Sequence, residues 1–252
     1  MNVLPAQRLA AQASVALSVL GHSPFSQAQD LRTMSQPDPS DSALPHKEQE
    51  LLRRAYGLSS DAQSLALYRD WAKTYDRTML DGLHYQSPML IADRLAALLP
   101  QRDSKVLDIG CGTGLAGRAL AAHGFSTIDG IDISPEMMAV ARMQGGYRAL
   151  VCADLNVPLP WADGAYQGAI CCGTFTSGHV RANCLDEVVR VLAAGAAFAF
   201  TVKLEVWESF GFKDKLAQLQ ASGALDILAL DADRLYANSP EADGMFCSVR
   251  RL

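Results

Sequence analysis

The amino-acid sequence predicts an α/β protein: a doubly wound, seven-stranded, mostly parallel sheet with helices on both faces and further helices ahead of it. Two observations predict this. From residue 101 onward, short apolar runs alternate with stretches of helical periodicity, the pattern of strand–helix–strand units. The punctuation between them also fits helix ends, with "SPE" at 134–136 opening one helix and glycines closing others.

Residues 1–46 are read as lying outside the folded domain, as a disordered or non-native extension. The Pro/Ser/Asp-rich stretch "SQPDPSDSALPHKEQE", 35–50, runs across their end. Residues 47–100 read as N-terminal helices forming a lid. In "SLALYRDWAKTYDRTM", Leu67, Trp71, Tyr75 and Thr78 recur on one helical face. In "SPMLIADRLAALLP", Ser87 is the expected N-cap, Pro88 the first helical residue and Pro100 the stop.

The core, 101–252, begins with an apolar strand at Lys105–Ile109 and a helix at Gly114–His123, which Gly124 is placed to end. Thr127–Ile131 is the second strand. Ser134 caps the next helix and Gly145-Gly146 ends it. Tyr147–Val151, Gly168–Cys172 and Ala196–Val202 read as strands three to five, with a helix over Leu185–Leu192 before the fifth. Trp207–Ala221 reads as one helix, and Leu225–Leu230 and Met245–Val249 as the remaining strands.

The chain has 252 residues and a formal net charge of -5, with its charges scattered. That balance speaks against a nucleic-acid partner, which calls for a basic patch or arm. No apolar run approaches the roughly 18 residues that span a membrane. The six cysteines show no metal-binding or redox spacing, so they read as reduced, mostly buried residues of a cytoplasmic protein. Adjacent Cys171 and Cys172 should point to opposite faces of their strand.

Chemistry concentrates in "VLDIGCGTGLAGRAL", 106–120. Gly110, Gly112 and Gly114 follow the first strand, at the sheet end where open α/β folds bind ligands, and let a ligand approach the main chain. A dinucleotide fingerprint would place its third glycine at 115, which is Leu115, and Asp108 would repel a pyrophosphate. Asp108 suits an ammonium group instead. Asp132, ending the second strand, suits the two hydroxyls of a ribose, and Asp154, after the third, an exocyclic amine. Taken singly, each acid is better explained as a cap of a helix or turn. Together with the glycine turn they specify S-adenosylmethionine.

"VLDIGCGTG", "GIDISPEMM" and "ADL" resemble motifs of the class I S-adenosylmethionine-dependent methyltransferases, from about Tyr56 onward. The lead-in Tyr75-Asp76 with Tyr85-Gln86-Ser87-Pro88, and "GTFTSGHV" at 173–180, further resemble bacterial relatives of the Williams-Beuren syndrome region methyltransferase-like protein. The resemblance implies a Rossmann-like sheet whose last strand is antiparallel. It also implies that Asp108 and the Gly110–Gly114 backbone, with Cys111, hold the methionine end, and that Asp132 holds the ribose. Ile133 and Met137 would flank the adenine, Asp154 and Leu155 read its edge, and Cys172 and Gly173 line the cofactor side. Tyr68, Trp71 and Tyr75 are candidates to close over the cofactor or simply to pack the core. Two departures fall on scaffold positions. Tyr166-Gln167 stands where the family has an aromatic–Asp pair, and Ala194-Gly195-Ala196 where it has Pro-Gly-Gly.

The expected reaction is in-line methyl transfer to a small-molecule acceptor, with no metal. His179 is the candidate catalytic base or a loop-fixing residue. His84 and Tyr85 could border the acceptor, and Thr174 and Ser177 could orient it. The alternative is a catalytically lapsed S-adenosylmethionine-binding partner or sensor. An NAD oxidoreductase is disfavoured by Leu115 and Asp108, and aminopropyl transfer by Asp108.

Overall fold

The computed structural model describes residues 61–178 and 180–252, together with Glu50, Leu51, Arg54 and Ala55. The expectation of a disordered segment at 1–46 lies outside the described residues, as does His179. Seven strands form one sheet: β1 Lys105–Ile109, β2 Thr127–Asp132, β3 Ala149–Cys152, β4 Tyr166–Phe175, β5 Leu192–Lys203, β6 Leu225–Asp233 and β7 Gly244–Arg251. Their order is β3-β2-β1-β4-β5-β7-β6. β1 through β5 pair in parallel, and β7 runs antiparallel to both β5 and β6.

Successive residues of each central strand face opposite sides, so the apolar runs fill two cores at once. Leu107, Ile109, Ala169, Cys171, Phe198 and Phe200 join one cluster. Val106, Ile170, Ala197 and Ala199 join the other. That second cluster includes Ile91 and Leu95 of the helix Ser87–Leu98, which packs directly on the sheet. The winding reverses between β1 and β4, so their carboxyl ends diverge and leave a crevice there.

Several local expectations are corrected. Ser87 is not a cap: it lies inside its helix, and its buried hydroxyl donates to the Leu235 carbonyl at 2.9 Å. The expected helix over Trp207–Ala221 is two, Leu204–Trp207 and Phe212–Ala221, because Gly211 takes a left-handed φ of 78° between them. The third strand starts at Ala149, since Tyr147 turns its ring beneath the glycine turn. After the helix Asp61–Trp71, the chain resumes at Tyr75–Arg77 and widens into a π-helical turn, Thr78–Gly82. Leu67, Trp71 and Thr78 are buried as the periodicity requires.

The departures from the family pattern have local explanations. Tyr166 donates its hydroxyl to buried Asp129 at 2.8 Å, and Gln167 accepts the Lys105 amide at 3.0 Å, capping the start of β1. Gly195 takes a φ of 80°, and its carbonyl accepts Arg250 at 2.8 Å.

Candidate functional site

A cleft of about 1000 Å³ opens at the carboxyl ends of β1, β2 and β4. β1 delivers Asp108, Gly110, Cys111 and Gly112 to it. β2 and the helix after it deliver Asp132, Ile133 and Met137, and the turn after β3 delivers Asp154 and Leu155. β4 contributes Cys172, Gly173 and Thr174, while Tyr68, Tyr75 and Tyr85 close the open side. Leu115, the residue that breaks the dinucleotide fingerprint, also lines it.

The turn is shaped by close approach. Gly110 has φ 66°, and a Cβ there would lie 2.0 Å from the Thr174 hydroxyl oxygen, so β4 seats directly on the turn. Thr174 donates toward the Ile109 and Gly110 carbonyls at 3.3 and 3.4 Å, which anchors the turn, and it also lines the cleft. Gly114 does not line the cleft. It caps the helix Leu115–Ala122 at φ 92°, with Tyr147 packed against it.

Asp108 is 1% exposed. Its Oδ2 accepts the Tyr147 hydroxyl at 2.6 Å, and its Oδ1 is buried without a partner. Burial pushes its carboxyl up to about 7; the Tyr147 bond opposes the rise, the Asp132 charge adds to it and the Gly117 amide opposes it. An unsatisfied buried carboxylate oxygen at a cleft wall calls for a donor. Asp132 accepts the Gly112 amide on Oδ2 and the Ser134 amide on Oδ1, both at 2.8 Å, and so also braces the turn. Burial raises its carboxyl, against those amides. Each of its oxygens retains acceptor capacity. Asp154 accepts the Asn156 amide at 2.8 Å, the turn-capping role, while still lining the cleft.

Ile133, Met137 and Leu155 supply apolar wall. An orphaned acid, a second acid with spare lone pairs, an exposed glycine backbone and this wall fit the amino-acid end, ribose and adenine of S-adenosylmethionine.

A residue without an assigned role in the sequence proves central. Asp76 accepts the Thr113 hydroxyl, Arg118 at 2.7 Å and Gln144 at 3.0 Å, tying the N-terminal helical segment to the glycine turn. Its only signal was the Tyr75-Asp76 lead-in. Tyr147, 39 positions from Asp108, carried none. Tyr68 and Tyr75 line the cleft, but Trp71 lies behind them, donating to the Thr78 hydroxyl at 3.3 Å. His84 is exposed at φ 53° and lines no described cavity; its carbonyl accepts the Ala237 amide at 2.9 Å, and the turn it makes sends Tyr85 inward.

Beyond Tyr75 lies a second chamber of about 630 Å³. It shares Tyr68, Tyr75, Tyr85, Gly173 and Thr176 with the cleft and continues past Trp71, Met79 and Tyr236 to Ser177 and Lys203. The π-helical turn places Met79 here, and the Met79 carbonyl accepts the Tyr85 amide at 2.8 Å.

Residues 107–200 match the methyltransferase domain family model. The human methyltransferase-like protein 27 is 31% identical over 193 residues, covering 73% of this chain and 78% of that protein. The 18S rRNA (guanine(1575)-N(7))-methyltransferase of Saccharomyces cerevisiae is 36% identical over 87 residues, 34% of this chain and 31% of its own. Among solved structures, the putative methyltransferase bound to the Trm112 activator in Haloferax volcanii superposes with a TM-score of 0.57 at 19% identity, over 73% of this chain and 96% of that one. No described helix is long and apolar enough to cross a membrane. With the seven-stranded order, the glycine turn and three strand-end acids around one cleft, these likenesses establish that the chain belongs to the class I S-adenosylmethionine-dependent methyltransferases.

Proposed function

We propose that this methyltransferase acts on a small-molecule acceptor held in the aromatic chamber. The carrying observation is that chamber: it adjoins the cofactor cleft through Tyr68, Tyr75, Tyr85, Gly173 and Thr176, and is walled largely by rings. Such a lining suits a small apolar molecule, whereas a nucleic-acid acceptor calls for a basic track.

In this reading Asp108 Oδ1 takes the amino-acid ammonium, the backbone of Gly110 to Gly112 lies along the methionine end and Asp132 accepts the ribose hydroxyls. Ile133 and Met137 flank the adenine, and Asp154 with Leu155 reads its edge. Cys172 and Gly173 form the wall beside the reacting centre. Burial pushes the Cys172 thiol up to about 12, so it stays neutral, and it lies 3.3 Å from the Tyr85 hydroxyl. Bound there, S-adenosylmethionine supplies a methyl group activated on a sulfonium. The residues of the chain then align the acceptor, exclude water through Tyr68, Tyr75 and Tyr85, and spend no covalent chemistry of their own. His179 remains the proposed base for an acceptor that must lose a proton.

Titration calorimetry tests the cofactor roles. Micromolar binding of S-adenosylmethionine and S-adenosylhomocysteine, with none of NAD, is expected, and Asp132→Asn should weaken both about tenfold or more. Release of S-adenosylhomocysteine in the presence of small-molecule pools, but not of rRNA, is expected. Turnover on rRNA alone would sink the small-molecule reading.

A further inference from the structure

The stretch 106–120 carries a fourth glycine, Gly117, which lies in the helix Leu115–Ala122 and does not line the cleft. A Cβ there would run into the ring and hydroxyl of Tyr147. Two more glycines border the same ring: a Cβ on Gly114, or on Gly130 of β2, would lie 3.0 Å from it. In a close-packed interior that is too near for the ring to stay in place. The turn, the helix and β2 thus each leave out a side chain, and together they make a slot for one tyrosine.

Tyr147 lines neither the cleft nor the chamber, yet its hydroxyl donates to Asp108 Oδ2 at 2.6 Å. Burial, and then the Asp108 charge, push the phenol well above its ordinary range, so it keeps its proton to donate. One carboxylate oxygen is therefore taken from behind. The other, Oδ1, is buried without a partner, and Asp108 lines the cleft. Of the other groups around this acid, Asp132 at the end of β2 adds like charge and the Gly117 amide opposes burial. The thiols of Cys111, Cys171 and Cys172 are pushed up by burial and stay neutral. Arg118 acts on Tyr147 from the helix but is paired with Asp76 at 2.7 Å. Among the described residues, the Tyr147 hydroxyl is the one side-chain donor on Asp108.

Resting on the assignment of the cofactor's ammonium to Asp108, we infer that Tyr147 is a positioning residue for the amino-acid end of S-adenosylmethionine. By holding Oδ2 it fixes the rotation of the carboxylate, so that Oδ1 meets the ammonium. Its phenol proton also stabilises the ionised acid that this contact needs. The ring fills the slot, and the hydroxyl orients the acid. No part of the tyrosine touches the reacting atoms.

The test is a pH series of S-adenosylhomocysteine binding to the full chain, read by calorimetry. Methylthioadenosine, the same nucleoside thioether without the amino-acid end, is the control probe. Tyr147→Phe keeps the ring in its slot and removes only the donor. A carboxyl that loses a donor to its ionised form titrates higher. The rise of affinity with pH should therefore move up by about one unit, a loss of roughly fivefold or more at about pH 7. Methylthioadenosine should bind both proteins alike at each pH, which a turn that had merely loosened would not allow. A rise that stays at the wild-type pH, or equal weakening of the two ligands, overturns the inference. If Asp108→Asn binds S-adenosylhomocysteine as tightly as the wild type, the ammonium assignment beneath it falls instead.

Discussion

Asp108 shows how much a single position gives up for function. A carboxyl with a folded pKa near 7, against an ordinary 3.8, keeps its proton in the native state after the unfolded chain has released it. Stability of the cofactor-free protein therefore falls as pH rises from about 4 to about 7, and the full penalty is present above that. Asp108→Asn should raise the melting temperature at about pH 8 and have much less effect near pH 5, while binding of S-adenosylmethionine is lost; equal shifts at both pH values would refute the buried charge. In the wild type, cofactor affinity should climb as pH rises through about 7, because the ammonium needs the ionised acid. Asp108, Asp132 and Asp154 were legible because each ends or follows an apolar strand. The orphaned Oδ1 was not, since it depends on Tyr147 arriving from a distant segment. Tyr147 reaches its place only because Gly117 has no Cβ; one there would lie 2.2 Å from the tyrosine oxygen. Gly117→Ala should therefore displace the ring from Asp108 and destabilise the protein by about 2 kcal/mol or more, measured by denaturant unfolding.

At the level of elements, the helical segment 61–82 is held over the glycine turn by one carboxylate. Asp76 bonds to Thr113 in the turn, to Arg118 in the following helix and to Gln144 at the end of the next. Asp76→Asn keeps the side chain's size but removes the charge that Arg118 meets. It should raise amide hydrogen exchange across 61–82 and weaken cofactor binding, with exchange in β1 unchanged. Unaltered exchange in that segment would show that ring packing alone holds it. Helix existence here was readable from Leu67, Trp71 and Thr78. The break after Trp71 and the wide turn at Thr78–Gly82 were not, because no proline or glycine stands at the start of either. Gly211 was visible, yet one glycine within an otherwise helical pattern does not announce a left-handed residue.

For the molecule as a whole, the strand sequence and the parallel core were legible because fully buried strands read as continuous apolar runs bounded by turns. Long-range pins were not. Buried Asp129 on β2 binds Arg148 at 2.9 Å and Tyr166 of β4 at 2.8 Å. Burial alone would raise its carboxyl, but these partners hold it below the ordinary range. Arg148→Ala should cost about 2 kcal/mol in denaturant unfolding, since it strands a buried charge. A depressed folded pKa adds stability at neutral pH that disappears on acidification, so the cost of the substitution should shrink at low pH.

The strand order β5-β7-β6 carries one more consequence. β6 reaches the sheet only through β7, which follows it in the chain. While the protein is being synthesised, β6 must therefore wait, with Leu225 and Ile227 uncovered, until Gly244–Arg251 has left the ribosome and slid between it and β5. The two strands are thus added to the growing molecule as a single late event. Loss of the later one strips both, and chaperone dependence in the cell should concentrate in that interval.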